Sequence, residues 1–559
     1  MSTRDWKTIV AEKRLQQSEA IAAAETQVPL KGSNLEHAAN GQNGFHSITD
    51  ISDAATLTGK IARGEVTSEV VTRAYIARCE DKASALTYIR AIEAHKMTNC
   101  LTEVLFREAL EQAKNLDDFY AKEGKTVGPL HGIPVTLKDQ FNVKGHDTTL
   151  GYTSRALKPA SEDAILVSML KKLGAIIIAK TNLPQSIMWC ETENPLWGLT
   201  TNPMMPGYTP GGSTGGESAL LYMHGSMIGL GTDIGGSIRI PAHMMGLYGF
   251  KPSSSRLPYT GVPVSTEGQE HVPSSIGPLA RSLSSIHHMM KETILQEPWT
   301  KDSRCTPIPW RQDVYESASQ RKLTIGVLYD DGVVKPHPPV SRVLEETVAA
   351  LVAEGHEVIE WNDKLHAECI EVMDLFYTVD GGEDIRREVE AGGEPFIPHV
   401  DKLINRGKPI SVFEYWQLNK RKRALQQAYL EKWNSILSPR TGKPVDVLLM
   451  PPMPHPAVPH RATRWVGYTK VWNFVDYTAL VIPAGKVKAE DCEATWDHAS
   501  RNEMDEWNVK IWEENKRDMA EKELPIGVQL VGRNLDEEKV LAIGKVLDDM
   551  LQSRMHVTK

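Results

Sequence analysis

Apolar positions along the chain recur with two different periods. Up to about residue 122 the spacing is helical. Trp6, Ile9, Val10 and Leu15 form an apolar stripe, and residues 29–44, with their Pro and Gly, read as an irregular stretch. Val70, Val71, Ala74 and Ala77 repeat at helical spacing, as do Leu105, Ala109, Ala113 and Leu116, with Gly124 suited to the last helix end. The pattern then changes. Residues 132–139, GIPVTLKD, read as a short apolar strand with Lys138 at its end. Residues 161–173 form an amphipathic helix, with Ser161 as its cap and Gly174 beyond it, and residues 175–179, AIIIA, read as a fully buried strand. Residues 217–224 predict a helix, 227–230 a strand and 233–237 the turn after it.

The second half alternates in the same way. Strands are expected at 324–329, 356–361, 445–450, 479–483 and 526–531. A helix face of Val343, Leu344, Val348, Leu351 and Val352 ends at Gly355, and a long stripe runs through Leu418, Leu425, Tyr429, Trp433 and Ile436. The KRKR run at 420–423 reads as a solvated face of that helix, and the charged segment 486–523 as a surface insertion. Residues 536–551 predict a terminal helix with Asp536 as its N-cap. Strand–helix–strand alternation of this kind indicates an α/β protein, a sheet covered by helices.

Composition narrows the function. A net charge of −9 over 559 residues offers no basic footprint for nucleic acid and no polybasic membrane anchor. The six cysteines are scattered, without a CxxC pair, which argues for a reducing compartment and against a disulfide framework or a zinc cluster. No run approaches the roughly 18 apolar residues of a membrane span. The first residues lack the apolar core of a signal peptide, so a cytoplasmic enzyme is expected.

The candidate chemistry lies between residues 207 and 251, where two serines sit among glycines: Ser213 in GGSTGG and Ser237 in DIGGSIR. Glycines let a backbone bring several N–H groups to one spot, which suits a developing oxyanion. One reading takes GGSTG as a G-x-S-x-G nucleophile elbow with Ser213 as nucleophile. It requires a later acid and histidine; His455 and His460 are candidates, although each reads better as a surface-loop residue. The competing reading makes Ser237 the nucleophile. Ile234, Gly235, Gly236 and Ser237 then present their N–H groups to the oxyanion. Ser213 relays the proton and Lys138 is the base, its pKa lowered by burial. That arrangement needs no histidine.

GGSTGGESALL, GTDIGGSIRIP and the upstream PLHGIPVTLKDQF resemble the amidase signature family, and the positions of Lys138, Ser213 and Ser237 match its spacing. TNLPQS, GQEHVPSSIGPLARS and LPIGVQLVGR extend the resemblance from about residue 48 to the C-terminus, with flanks closest to the fungal acetamidase-like branch. The resemblance implies a central mixed β-sheet covered by helices on both sides. One domain would span residues 48–559, with its catalytic core at about 125–285, preceded by an N-terminal helical arm at 1–47. It implies hydrolysis of carboxylic amides, with esters, anilides or carbamates as further substrates, and no cofactor or metal. It assigns Ser237 as nucleophile, Lys138 as neutral base, and Ser213, in a cis peptide linkage, as the bridge between them. Ile187, Met188, Trp189 and Ser213 are the expected substrate contacts. Asp233 and Arg239 are expected to brace the loop as a salt bridge. Thr214 stands where the family commonly has a second serine, and its hydroxyl is expected to keep the hydrogen bonding. Ser218 replaces a common glycine. The partner is a small-molecule amide, and a homodimer is a candidate assembly. Two alternatives stand: a glutamine-dependent amidotransferase A-type subunit and a catalytically inactive binding protein.

Overall fold

The structure, a computed structural model, describes residues 4–27, 48–76, 79–80, 87–88, 91–494, 496 and 498–557. The irregular stretch at 29–44 and Ala77 lie outside these residues. The main sheet has eleven strands among the described residues. In chain order they are β1 (Leu101–Val104), β2 (Pro134–Lys138), β3 (Ile176–Thr181), β4 (Ile228–Asp233), β5 (Tyr248–Lys251) and β6 (Ser275–Ala280). They continue with β7 (Thr324–Val327), β8 (Glu357–Glu360), β9 (Val447–Met450), β10 (Ala479–Lys486) and β11 (Pro525–Val531). Across the sheet the order is β8-β7-β9-β11-β10-β5-β6-β4-β2-β3-β1.

The sheet is mixed, and its parallel part places the site. β2 lies between β3 and β4 and runs parallel to both. Every residue of these three strands is buried, as near-continuous apolar runs require when helices cover both faces. Burial of each isoleucine side chain in β3 contributes about 1.5–3 kcal/mol relative to exposure. Because the three strands share a direction, their C-terminal ends converge. Lys138 stands in register with Thr181, while Leu137 pairs Leu230, so Thr232 and Asp233 emerge just beyond. The C-terminal edge of parallel strands is where open α/β sheets hold ligands.

The helices follow their apolar stripes in the main, but Leu15 and Val352, expected within stripes, are exposed. They include α1 (Trp6–Gln27), α2 (Phe106–Glu123), α3 (Ile165–Lys172), α4 (Gly215–Tyr222) and α5 (Arg239–Met245). Further along come α6 (His366–Phe376), α7 (Val412–Ser435), α8 (Gly467–Phe474), α9 (Glu503–Glu521) and α10 (Glu537–Val557). α2 ends on Gly124 with φ 67°, the left-handed conformation a glycine adopts without penalty. α1 is docked on the body: Lys13 is buried against Glu103 at 2.6 Å and Asp147 at 2.8 Å.

Four local expectations are corrected. The stretch before residue 122 is not all helix, since β1 forms the sheet edge antiparallel to β3. α3 begins at Ile165 and Ser161 does not cap it; the Ala164 N–H is tied to the Asn142 carbonyl and Asp163 accepts from the Lys144 N–H, which holds 161–164 extended. The KRKR run is only partly solvated: Arg421 pairs with Glu368 and Glu371, and Lys422 donates to the His271 carbonyl. The charged segment 486–523 is not a loose insertion, because α9 buries Ile511, Trp512 and Met519 and shows its charges on the other face. Asp536 stands directly before α10, as the sequence predicts, with its carbonyl accepting from the Val540 N–H at 2.9 Å and its carboxylate accepting from the Arg533 N–H and pairing with Lys539.

Candidate active site

Lys138 ends β2 with its side chain fully buried. Its Nζ lies 2.6 Å from Ser213 Oγ and 3.0 Å from Thr232 Oγ1. Thr232 donates its one hydroxyl proton to Gln140 Oε1 at 2.6 Å, so it accepts from the lysine. Ser213 remains able to donate to the nitrogen lone pair once the amine is neutral. Burial pushes the Lys138 pKa from 10.5 down to about 7, against the opposing pull of Asp233 and Glu217. A buried amine poised near neutrality can act as a base.

Ser213 follows a cis Gly212–Ser213 peptide, just before α4. The backbone there is closely packed: a Cβ on Gly212 would sit 2.5 Å from both Glu191 N and O. Ser213 and Ser237 line one cavity of about 590 Å³, together with Thr232, Ile234, Ile187 and Met188. Thr214 N donates to the Ser237 carbonyl at 3.2 Å, fastening the two serine loops together. The Thr214 hydroxyl does not keep a hydrogen bond: among the described residues it has no partner, and its side chain packs where a Gly231 Cβ would stand. Ser218 Oγ bonds the Pro210 and Gly215 carbonyls, each at 3.0 Å, and anchors α4 to the preceding loop.

The turn after β4 is fixed from beneath. Arg239 Nη2 lies 2.8 Å from Asp233 Oδ1, and both side chains are fully buried. Burial works against the Asp233 charge, but Arg239 outweighs it and holds the carboxyl well below the usual range. Arg239 also donates to Asn473 Oδ1, Gln529 Oε1 and the Thr469 carbonyl, which satisfies the charge. Asp233 in turn accepts the Gly236 N–H at 2.8 Å and the Ile238 N–H at 3.1 Å. The Gly236 N–H is therefore turned to Asp233, and the expected set of four oxyanion donors loses one member.

Glu217, on α4, accepts from Thr136 Oγ1 at 2.6 Å and Thr181 Oγ1 at 2.9 Å. Burial pushes its pKa up to about 8. Leading to the cavity residue Ile187, Ser186 and Ile187 itself adopt φ of 68° and 59°. Such values are unfavourable for a β-branched residue, and they persist because the segment is pinned. The Ser186 N–H bonds the Leu150 carbonyl at 3.0 Å, while Gln185 bonds Glu394 at 2.8 Å. Trp189 departs from its expected place. It stacks on His399, centroids 4.1 Å apart, and is not among the described residues that line the cavity.

The two candidate histidines are elsewhere. His455 is buried rather than on a surface loop, with Nδ1 2.8 Å from the Pro456 carbonyl and its own carbonyl 3.0 Å from His243 Nε2. His460 bonds the Pro206 carbonyl. Neither lines the serine cavity among the described residues. Sequence reasoning missed Gln140 and Thr232 around Lys138, and Asn473, Gln529, Thr469 and Tyr377 around the 233–237 turn. Thr232 lies within the GTDIGG motif, Gln140 within PLHGIPVTLKDQF and Gln529 within LPIGVQLVGR, so these three were within reach; Asn473, Thr469 and Tyr377 carry no local signal.

The comparisons agree with this picture. The family model described as "Amidase" matches residues 83–541. "Amidase 1" of Gibberella moniliformis is 50% identical over 549 residues, covering 98% of this chain and 100% of that protein. "Acetamidase" of Emericella nidulans is 40% identical over 509 residues, covering 90% of each. Among solved structures, a fatty acid amide hydrolase superposes with a TM-score of 0.84 at 30% identity, over 98% of this chain and 95% of that one. Fold and relatives together define an amide-hydrolysing α/β enzyme. The chain belongs to the amidase family, the amidase signature enzymes.

Proposed function

We propose that the enzyme hydrolyses carboxylic amides through an acyl-enzyme on Ser237, with Ser213 and Lys138 as its proton path. The observation that carries this reading is the 2.6 Å hydrogen bond from a fully buried Lys138 to Ser213 in the wall that also holds Ser237. Neutral Lys138 accepts the Ser213 proton as Ser213 takes the proton of Ser237 Oγ. Ser237 Oγ bonds the substrate carbonyl carbon, and the N–H groups of Ile234, Gly235 and Ser237 receive the oxyanion. The tetrahedral intermediate collapses as Ser213 hands its proton to the leaving nitrogen, with Lys138 restoring it. Ammonia or amine departs, which an unprotonated nitrogen does poorly. Water then attacks the ester by the same proton path and releases the carboxylate.

The cavity of about 590 Å³, with Ile187, Met188, Ile234 and Val264 in its wall, supports acyl or amine groups larger than acetamide. Esters, anilides and carbamates fit the same chemistry. Two acetamidases are among the relatives. The unpaired thiols of Cys100, Cys190, Cys305, Cys369 and Cys492 support a cytoplasmic, reducing setting. Among the described residues no helix is long and apolar enough to cross a membrane. Relatives spanning nearly the whole chain favour a self-contained amidase over an amidotransferase subunit.

The test is product release from acetamide, longer aliphatic amides, benzamide, an anilide and an aryl carbamate, with wild type beside Ser237→Ala, Lys138→Ala and His460→Ala. Activity lost in the first two variants and kept in the third supports the reading. Retained activity in Lys138→Ala, or loss in His460→Ala alone, overturns it.

A further inference from the structure

The 233–237 turn carries four consecutive peptide planes, and each carbonyl has its own partner. The Asp233 carbonyl accepts from Asn473 Nδ2 at 3.0 Å. The Ile234 carbonyl accepts from the Tyr377 hydroxyl at 2.9 Å. The Gly235 carbonyl accepts from Thr469 Oγ1 at 2.7 Å, and the Gly236 carbonyl from the Ile240 N–H at 2.7 Å. In a planar trans peptide the N–H points opposite the preceding carbonyl, so holding one end of the plane aims the other. The other three planes are held by groups that are themselves fixed: Asn473 also braces Asp233 Oδ1, Ile240 lies in the first turn of α5, and the Gly236 N–H is held by Asp233. Among the described residues the Ile234–Gly235 plane is held by the tyrosine alone.

We propose that Tyr377 is a positioning residue for amide hydrolysis, its hydroxyl holding the Ile234 carbonyl so that the Gly235 N–H faces the oxyanion. The proposal rests on the Ser237 reading above. Tyr377 comes from the C-terminal end of α6, far outside the glycine motif. Burial raises its pKa well above 10.0, so the hydroxyl stays a donor throughout the working range. Lys470 Nζ, 5.3 Å from the ring centroid, and the packing of Tyr377 against two apolar clusters fix the ring itself. Glycine at 235 suits the same contact, since a Cβ there would stand 3.1 Å from the tyrosine oxygen, closer than ordinary van der Waals contact.

The experiment compares wild type with Tyr377→Phe, which keeps the ring and removes only the hydroxyl. kcat and KM are measured on the preferred amide. Affinity is measured for a trifluoromethyl ketone of the same acyl group, which forms a tetrahedral adduct. Loss of one whole oxyanion donor commonly lowers kcat about 100-fold or more, so a misaimed donor is expected to lower it about ten-fold or more, with KM changed less than about two-fold. Ketone affinity falls in parallel with kcat. Thr469→Val frees a plane that Asp233 still holds, and is expected to lose less than about three-fold in kcat. The inference is overturned if Tyr377→Phe keeps wild-type kcat, if kcat falls without the ketone affinity, or if Thr469→Val loses as much. Ser237→Ala, run in parallel, separates the two claims. Its full activity would remove the underlying reading, whereas its inactivity beside an unaffected Tyr377→Phe would remove only the role of the tyrosine.

Discussion

Replacing Lys138 by methionine should abolish catalysis and stabilise the fold. The ammonium of an exposed lysine titrates at 10.5, and in the folded chain burial brings that value to about 7. Holding the amine neutral at pH 7 therefore costs about 5 kcal/mol relative to the unfolded chain, at about 1.4 kcal/mol per pH unit. Methionine fills a similar volume with nothing to discharge. It forfeits the bonds to Ser213 at 2.6 Å and Thr232 at 3.0 Å, worth about 1 kcal/mol each. The net expectation at pH 7 is a gain of about 2–3 kcal/mol. The sign with pH follows from linkage: between 7 and 10.5 the unfolded chain binds the proton and the native chain does not, so wild-type stability rises with pH. At pH 9 the lysine penalty has shrunk to about 2 kcal/mol and the advantage of methionine is nearly gone. Urea unfolding of both proteins at pH 7 and pH 9 measures this. A Lys138→Met protein less stable than wild type at pH 7, or an advantage that does not shrink by pH 9, refutes the reasoning.

Further expectations can be checked with the same material. If neutral Lys138 is the base, kcat/KM should fall about ten-fold per pH unit below about 7, and a profile flat to pH 5 contradicts it. Lys13→Met leaves the buried Glu103 and Asp147 carboxylates without their shared cation and should lower stability by about 3 kcal/mol; an unchanged urea midpoint would count against that ion pair as the tie holding α1. Burial lowers the pKa of His243, His337, His366 and His455 to about 3–4. The unfolded chain takes up those protons from about 6.5 downward and the native chain does not, so the stability they contribute is complete above about 6.5 and lost toward pH 4. A urea midpoint constant from pH 7 to pH 5 would deny it.

The parts of the site legible in the sequence are those that lie close together along the chain. Lys138 at the end of an apolar strand, and two serines among glycines, announce their chemistry through local pattern. The apolar parts of two strands, at 175–179 and 227–230, are readable because burial on both faces leaves an apolar run, whereas their polar ends, Lys180–Thr181 and Thr232–Asp233, are not. What escaped notice depends on distant packing. Tyr377 meets Ile234 across 143 residues and carries no motif, and Gln529, although it lies in LPIGVQLVGR, meets Arg239 across 290 residues with no local sign of it. Trp189 was expected at the substrate because it is bulky and follows Ile187, yet within a turn no periodicity tells which way a ring faces. β1 was hidden in a helical context because a four-residue edge strand is too short to display its period. The Gly236 N–H was counted as an oxyanion donor because glycine runs suggest open amides, and only the fold reveals that Asp233 has taken it.

The central claim is that Ser237 is the acylated nucleophile. Its most direct test is peptide mapping by mass spectrometry after reaction with a fluorophosphonate, in wild type and in Ser237→Ala. One adduct is expected, on the peptide carrying Ser237, formed with loss of activity and absent from the variant. An adduct on Ser213, or amide hydrolysis by Ser237→Ala at the wild-type rate, would contradict it.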